Sequence, residues 1–246
     1  MDNSQSKTKN FLMDLFFPKF CFGCQKEGTY LCDDCKETLE ISEHNYCLCE
    51  INPSRILGSG KCPRCSSKKL SGLYFALSYK EKPLARKLIH QFKYKPYTKD
   101  LAKTLASLII EHLIKTKKNT DEIWQNSVLI PIPLDKKKMK IRSYNQSEEL
   151  AKELADILRV PALSDVLIKT KSTKPQMELK KEEREKNLLN AFAINKNCAR
   201  PGLTQFSKIF LVDDVYTTGS TMEECARVLR NAGAKSVWGI CIAREG

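Results

Sequence analysis

The chain has 246 residues, enough for one large α/β domain, or a medium domain beside a small module, with a real hydrophobic core. Lysine and arginine number 42 against 29 acidic residues, giving +13; this favours polyanions such as nucleic acid, phosphorylated metabolites or anionic lipid, the plainer reading being a soluble protein of high isoelectric point. No window approaches a membrane span, and the start carries no secretory pattern, so a cytoplasmic location is expected.

The charge is uneven. Residues 1–70 hold 10 basic and 9 acidic groups, and residues 71–246 hold 32 and 20. Residues 11–17, FLMDLFF, are expected to form a short helix packed on the segment that follows, with docking to a membrane surface or a partner as the alternative. Of 11 cysteines, eight lie between Cys21 and Cys65. They come as CFGC (Cys21, Cys24), CDDC (Cys32, Cys35), CLC (Cys47, Cys49) and CPRC (Cys62, Cys65). Reduced, clustered thiols suggest metal rather than disulfides. Zinc takes four soft ligands in a tetrahedron, and a Cys-x-x-Cys turn places two sulfurs on one ion. Four turns suffice for two sites. Sequential pairing needs only short loops, and crossed pairing is the alternative; the one-residue gap at Cys47 and Cys49 departs from the rule. His44 stands alone and is not assigned as a ligand. The metal replaces a core that so short a module cannot build. Zinc alone does not imply DNA binding, and a docking role is as good a reading.

After residue 70 the texture changes, and a division into 1–70 and 71–246 is expected. GLYFALSY reads as a strand, Lys82-Pro83 as a turn, and Leu84, Leu88, Ile89 and Phe92 as one face of a helix. DLAKTLASLIIEHLIK is a second helix. VLIPIP, Val128 to Pro133, suits a buried parallel strand. LDKKKMKIRSYNQ reads as a basic loop, and SEELAKELADILR as a helix. KIFLVDD is a strand, MEECARVLRNAGA a helix and KSVWGICIA a last strand. Strands alternating with helices predict an α/β fold with a doubly wound parallel sheet, preceded by the small cysteine module.

In such a sheet ligands bind where strands end and helices begin. Asp213 and Asp214 are expected at one such end. Thr217, Thr218, Gly219, Ser220 and Thr221 then open a helix whose free N–H groups and dipole suit phosphate. Two carboxylates would repel that phosphate, so they fit sugar hydroxyls, a cation, or both. Phosphate with vicinal hydroxyls describes a ribose 5-phosphate group.

Ile209 to Thr221 resembles the signature of type I phosphoribosyltransferases, with Tyr216 as an aromatic where an aliphatic is usual. The resemblance implies phosphoribosyl pyrophosphate (PRPP) with Mg²⁺. Asp213 and Asp214 would take the ribose hydroxyls, and Thr217 to Thr221 the 5-phosphate. It also implies a pyrophosphate loop, for which Leu134, Lys136, Lys137 and Arg142 are the candidates. A hood loop is expected over TKSTKPQMELKKEEREKNLLNAF, with Gln176, Arg184 and Asn187.

The cysteine turns, LIHQFKY, PIPL, R-S-Y-NQ, TKPQMEL, AF and LVDDVYTTGST follow in an order similar to that of the ComF family, a double zinc ribbon fused to a phosphoribosyltransferase-like domain. Ser143 stands where that family usually has Gly. The resemblance implies natural competence, with uptake of single-stranded DNA at the cytoplasmic side of the inner membrane and a competence helicase or membrane channel as partner. DNA would meet Arg86, Lys87, Lys93, Lys95, Lys136, Lys137, Lys138 and Lys140, with Tyr94, Tyr97 and Tyr144 stacking on bases; residue by residue, a solvated basic face is the plainer reading. An active phosphoribosyltransferase and a non-catalytic zinc adaptor are the alternative functions.

Overall fold

A computed structural model describes residues 18–58, 60–94, 98–171, 188–196 and 202–245. The expected helix at 11–17, Lys95, Tyr97, Cys198 and the three hood candidates Gln176, Arg184 and Asn187 lie outside the described residues.

Four parallel strands make the sheet: β3 (Gly72–Ser78), β4 (Ser127–Pro131), β7 (Lys208–Tyr216) and β8 (Val237–Arg244), in the order β3-β8-β7-β4. Their residues alternate between two cores, as the two-residue period of a strand requires. Tyr74, Leu129, Phe210, Val212, Ile240 and Ile242 face one side. Leu73, Val128, Ile130, Ile209, Leu211 and Cys241 face the other. Burial on both faces is why these strands read as nearly unbroken apolar runs.

The first core is covered by α2 (Pro83–Lys93), α3 (Leu101–Lys115) and α6 (Gln146–Leu158), with Trp124 of the short α4 (Asp121–Trp124) at its side. Leu88, Ile89 and Phe92 of α2, Leu105 and Ile109 of α3, and Leu150 and Leu154 of α6 fill it. The second is covered by α7 (Ser220–Asn231), through Met222, Cys225, Ala226 and Leu229. Pro83 opens α2, where its missing N–H costs nothing. Helices on both faces make the sheet doubly wound. Because α6 after β4 lies on one face and α7 after β7 on the other, the chain diverges between these adjacent strands. A crevice at their carboxyl ends is the topological consequence.

Both cysteine segments pack on this sheet. Leu31, Leu39 and Ile41 join the first core, and Cys47, Leu48, Cys65 and Leu70 the second. The first segment carries α1 (Asp33–Glu37), and the second the two-residue strands β1 (Asn45–Tyr46) and β2 (Arg55–Ile56). His112, buried on α3, holds the Ser42 carbonyl through Nδ1 at 2.7 Å; burial lowers its pKa.

Two local expectations change, and one short element is additional to them. LDKKKMKIRSYNQ is not all loop: α5 spans Lys136–Arg142, capped by the Asp135 carboxylate, which accepts the Lys137 N–H at 2.9 Å. Its apolar spacing is too sparse to show as a periodic face, and the cap decides it. The strand expected to stop at Asp214 runs on to Tyr216, paired with β8 as far as Tyr216 and Arg244. The short hairpin of β5 (Leu167–Lys169) and β6 (Phe192–Ile194) has three residues a strand, too few for a pattern to declare.

Candidate functional site

The cysteines form two groups of four, Cys21, Cys24, Cys32 and Cys35, and Cys47, Cys49, Cys62 and Cys65, with all sulfurs of a group within 4.8 Å of one another. This is the sequential pairing, and the narrow Cys47–Cys49 gap does not prevent it. A tetrahedron of sulfurs about 2.3 Å from zinc has edges of roughly 3.8 Å. The Cys21–Cys32, Cys24–Cys32, Cys49–Cys62 and Cys62–Cys65 sulfurs stand 3.7, 3.5, 3.5 and 3.8 Å apart. Backbone N–H groups aim at them, Cys32 to Cys21 Sγ at 3.4 Å, Ser54 to Cys47 Sγ at 3.2 Å and Cys62 to Cys65 Sγ at 3.3 Å. Such donors stabilise thiolates, so both groups fit structural zinc. His44 is exposed and in neither group.

The acid pair sits where β7 adjoins β4. Asp214 is 8% exposed, and its Oδ1 pairs with Lys93 Nζ at 2.9 Å. Asp213 Oδ1 accepts Ser147 Oγ–H at 3.0 Å and the Asp214 N–H at 2.9 Å. Burial pushes the Asp213 carboxyl up to about 7, and like charge on Asp214 adds to this; Lys93, the Asp214 N–H and Ser147 oppose it. Burial disfavours the Lys93 ammonium, but the aspartates outweigh it and its pKa rises. Two adjacent carboxylates are therefore held in one site by a cation from α2 and a hydroxyl from α6.

The small-residue loop follows directly. Gly219 has φ +78° and precedes α7. A Cβ there would lie 2.2 Å from Tyr216 Oη, so both the backbone and the ring beneath require glycine. Thr218 Oγ1 and Ser220 Oγ stand 2.9 Å apart. The aromatic Tyr216 is thus the floor of the loop: it is 2% exposed, and its hydroxyl has no hydrogen-bond partner among the described residues.

Cations ring the carboxylates. Lys138 of α5 and Lys169 of β5 lie within electrostatic reach of the pair. Desolvation and Arg142 lower the Lys138 pKa, and desolvation and Lys138 lower that of Lys169. At both lysines like charge nearby adds to desolvation, a combination that a bound anion would relieve. Of the pyrophosphate-loop candidates, Leu134 is half-buried, and Lys136 and Lys137 are exposed on α5. Arg142 donates to Gln146 Oε1 at 3.0 Å and lies over the Tyr94 ring at 5.1 Å. Sequence reasoning missed Ser147 and Lys169; neither has a motif, and only strand and helix placement brings them in.

The nucleic-acid candidates divide. Arg86, Lys87, Lys136, Lys137, Lys138 and Lys140 are exposed. Lys93 is not on that open face, because it is drawn into the acid pair. Tyr144 is not open to a base either: it is buried, and its hydroxyl donates to the Phe92 carbonyl at 2.5 Å. Gln146 Nε2 donates to the same oxygen at 3.2 Å, and Asn145 Nδ2 to the Ile132 carbonyl at 3.0 Å. The R-S-Y-NQ stretch is therefore a latch tying α2 and the end of β4 to α6. Tyr94 remains exposed.

The family model for the phosphoribosyl transferase domain matches residues 145–246, which include Ser147, Lys169, the acid pair and the loop after it. With the parallel sheet, this places the chain in the class of phosphoribosyltransferase-fold proteins, here preceded by two four-cysteine clusters. It is similar to competence protein F of Haemophilus influenzae, 29% identical over 232 residues, 87% of this chain and 97% of that protein. It is also similar to the DNA utilization protein YhgH of Escherichia coli K12, 28% identical over 183 residues, 74% of this chain and 77% of that one. Competence protein ComFC of Bacillus subtilis is 35% identical over 119 residues, 48% of this chain and 45% of its own. The chain belongs to the ComF family, whose phosphoribosyltransferase domain and cysteine clusters it carries. Among the described residues, no helix is long and apolar enough to cross a membrane.

Proposed function

We propose that the chain binds PRPP in the crevice between β4 and β7, and that it serves the uptake or processing of single-stranded DNA at the cytoplasmic side of the inner membrane, beside a helicase or DNA channel. The observation that carries the first part is the acid pair standing immediately before a glycine-opened helix N-terminus. Asp213 and Asp214 accept the ribose hydroxyls. Thr217, Thr218, Gly219, Ser220 and Thr221 surround the 5-phosphate with N–H and hydroxyl donors. Lys138 and Lys169 face the diphosphate, and Lys93 is placed to leave Asp214 for it. The oxygen-only donors suit Mg²⁺, which when bound offsets diphosphate charge. The names of the relatives, for competence and DNA utilization, support the second part, as does the exposed row of basic residues on α2 and α5.

Calorimetry tests it. PRPP, with and without Mg²⁺, is titrated into the zinc-loaded chain and into Asp213→Asn/Asp214→Asn. Binding by the wild type and none by the folded variant is expected. No binding by the folded wild type overturns the reading.

A further inference from the structure

Arg244, the last residue of β8, is 1% exposed; main-chain oxygens meet both its terminal nitrogens, while Nε has no hydrogen-bond partner among the described residues. Its Nη1 donates to the Cys47 carbonyl at 2.7 Å, and its Nη2 to the Cys49 carbonyl. Its guanidinium lies 5.6 Å from the Phe75 ring centre and 5.6 Å from that of Tyr216. Tyr216 is the ring on which Gly219 sits. A continuous stack therefore runs from two ligands of the second cysteine cluster, through Arg244 and Tyr216, to the loop that opens α7. A second tie runs beside it. The Glu223 carboxylate, in the first turn of α7, accepts the Leu70 N–H at 3.2 Å and the Lys69 N–H, just past Cys65. Among the described residues the first cluster has neither tie: Leu31, Leu39 and Ile41 around it join the other core.

We propose that the second four-cysteine cluster is the footing on which the phosphate-binding loop is set, and that Arg244 is the positioning residue that joins the two. Burying a guanidinium is costly unless its donors are met, and here two are met by the carbonyls of cluster residues. Those carbonyls stay in place only while the cluster is closed. When it opens, Arg244 loses its acceptors and Tyr216 its upper neighbour, and Gly219 loses its floor. Lysine keeps the charge but not the planar fork that reaches two carbonyls while lying on a ring. The idea deepens the PRPP reading, since it concerns the same loop, but the loop's order can be read without that ligand.

The experiment follows amide hydrogen exchange over residues 217–221 in ligand-free protein, with zinc content measured on each sample. Cys62→Ser opens the second cluster, and Cys24→Ser, as a control, opens the first. Cys62→Ser and Arg244→Lys are each expected to speed exchange at 217–221 on the order of tenfold, the latter with zinc retained. Their double variant is expected to be no faster than Cys62→Ser, as for residues acting through one another. Cys24→Ser is expected to leave this segment unchanged. Equal acceleration by Cys24→Ser, or none by Arg244→Lys with zinc retained, overturns the proposal. A reciprocal arm measures zinc loss to a chromogenic chelator with and without PRPP. PRPP is expected to slow release from the second cluster in the wild type but not in Arg244→Lys. If PRPP does not bind, only that arm falls silent and the ligand reading fails, while the exchange result still decides the coupling. Should Arg244→Lys not fold, Tyr216→Leu tests the same stack, with the same acceleration expected and its absence overturning the proposal.

Discussion

Lys93 and Asp214 form an ion pair at 2.9 Å, joining the end of α2 to β7 near its carboxyl end. The pair draws what the sequence offers as a DNA-facing lysine into the acid pair. Removing one member of a mostly buried pair leaves the other uncompensated. Lys93→Met is expected to lower the stability of the ligand-free chain by about 3 kcal/mol, read by urea unfolding. Lys87→Met, exposed on the same helix, is expected to change it by less than about 0.5 kcal/mol. Equal effects would remove Lys93 from the site.

Asp213 sets a pH dependence. Its pKa in the fold, about 7, lies above the value near 3.9 of an unfolded aspartate. Between these values the folded chain binds more protons than the unfolded one. Its contribution is therefore present below the unfolded pKa and is lost as pH rises toward 7. The melting temperature is expected to decline over this window more steeply in the wild type than in Asp213→Asn. Matching slopes would show that Asp213 titrates normally.

Ser143 closes α5 in the left-handed region, with φ +66°. A side chain there costs about 1 kcal/mol that glycine avoids. Ser143→Gly is expected to raise the melting temperature by about 3 °C, as a change of that size does in a chain this long. Calorimetric melting checks it, and a fall would mean that the Ser143 hydroxyl has a use its geometry does not reveal.

Gly219 admits no substitute. Gly219→Ala meets both a φ of +78° and the Tyr216 hydroxyl, and is expected to cost about 2 kcal/mol and to abolish PRPP binding. Because the backbone is strained as well as the space, Tyr216→Leu is not expected to rescue it. Restored binding in that double variant would assign the whole effect to the ring.

The exposed basic residues predict a salt-dependent grip on single-stranded DNA. Log affinity falls with log salt, and the fall becomes shallower by about 0.7 for each DNA phosphate that the protein no longer neutralises. Arg86→Ala and Lys140→Ala are each expected to flatten the dependence by that amount, measured by fluorescence anisotropy with oligothymidylate at several salt concentrations. A salt-independent or absent interaction would end the reading of this face.

Much of the molecule is legible in order along the chain. The cysteine spacing, the apolar runs of β3, β4, β7 and β8, and the passage from Asp213 to Thr221 are local patterns. Zinc turns, two-residue alternation and the opening of a helix are each decided within a few residues. By itself the sequence determined eight cysteines in paired ligand spacing, a parallel α/β sheet and a small-residue loop after the acid pair; that the cysteines group four and four in chain order was decided by the tertiary structure. Only the tertiary structure decided which residues meet. Lys93 and Ser147 reach the acid pair because α2 and α6 pack on the same face of the sheet, and Lys169 comes within electrostatic reach of it from β5. Arg244 reaches Cys47 and Cys49 because β8 ends beneath the second cluster. Such meetings depend on strand order and on the burial of charges that must find partners, and neither leaves a period in the sequence.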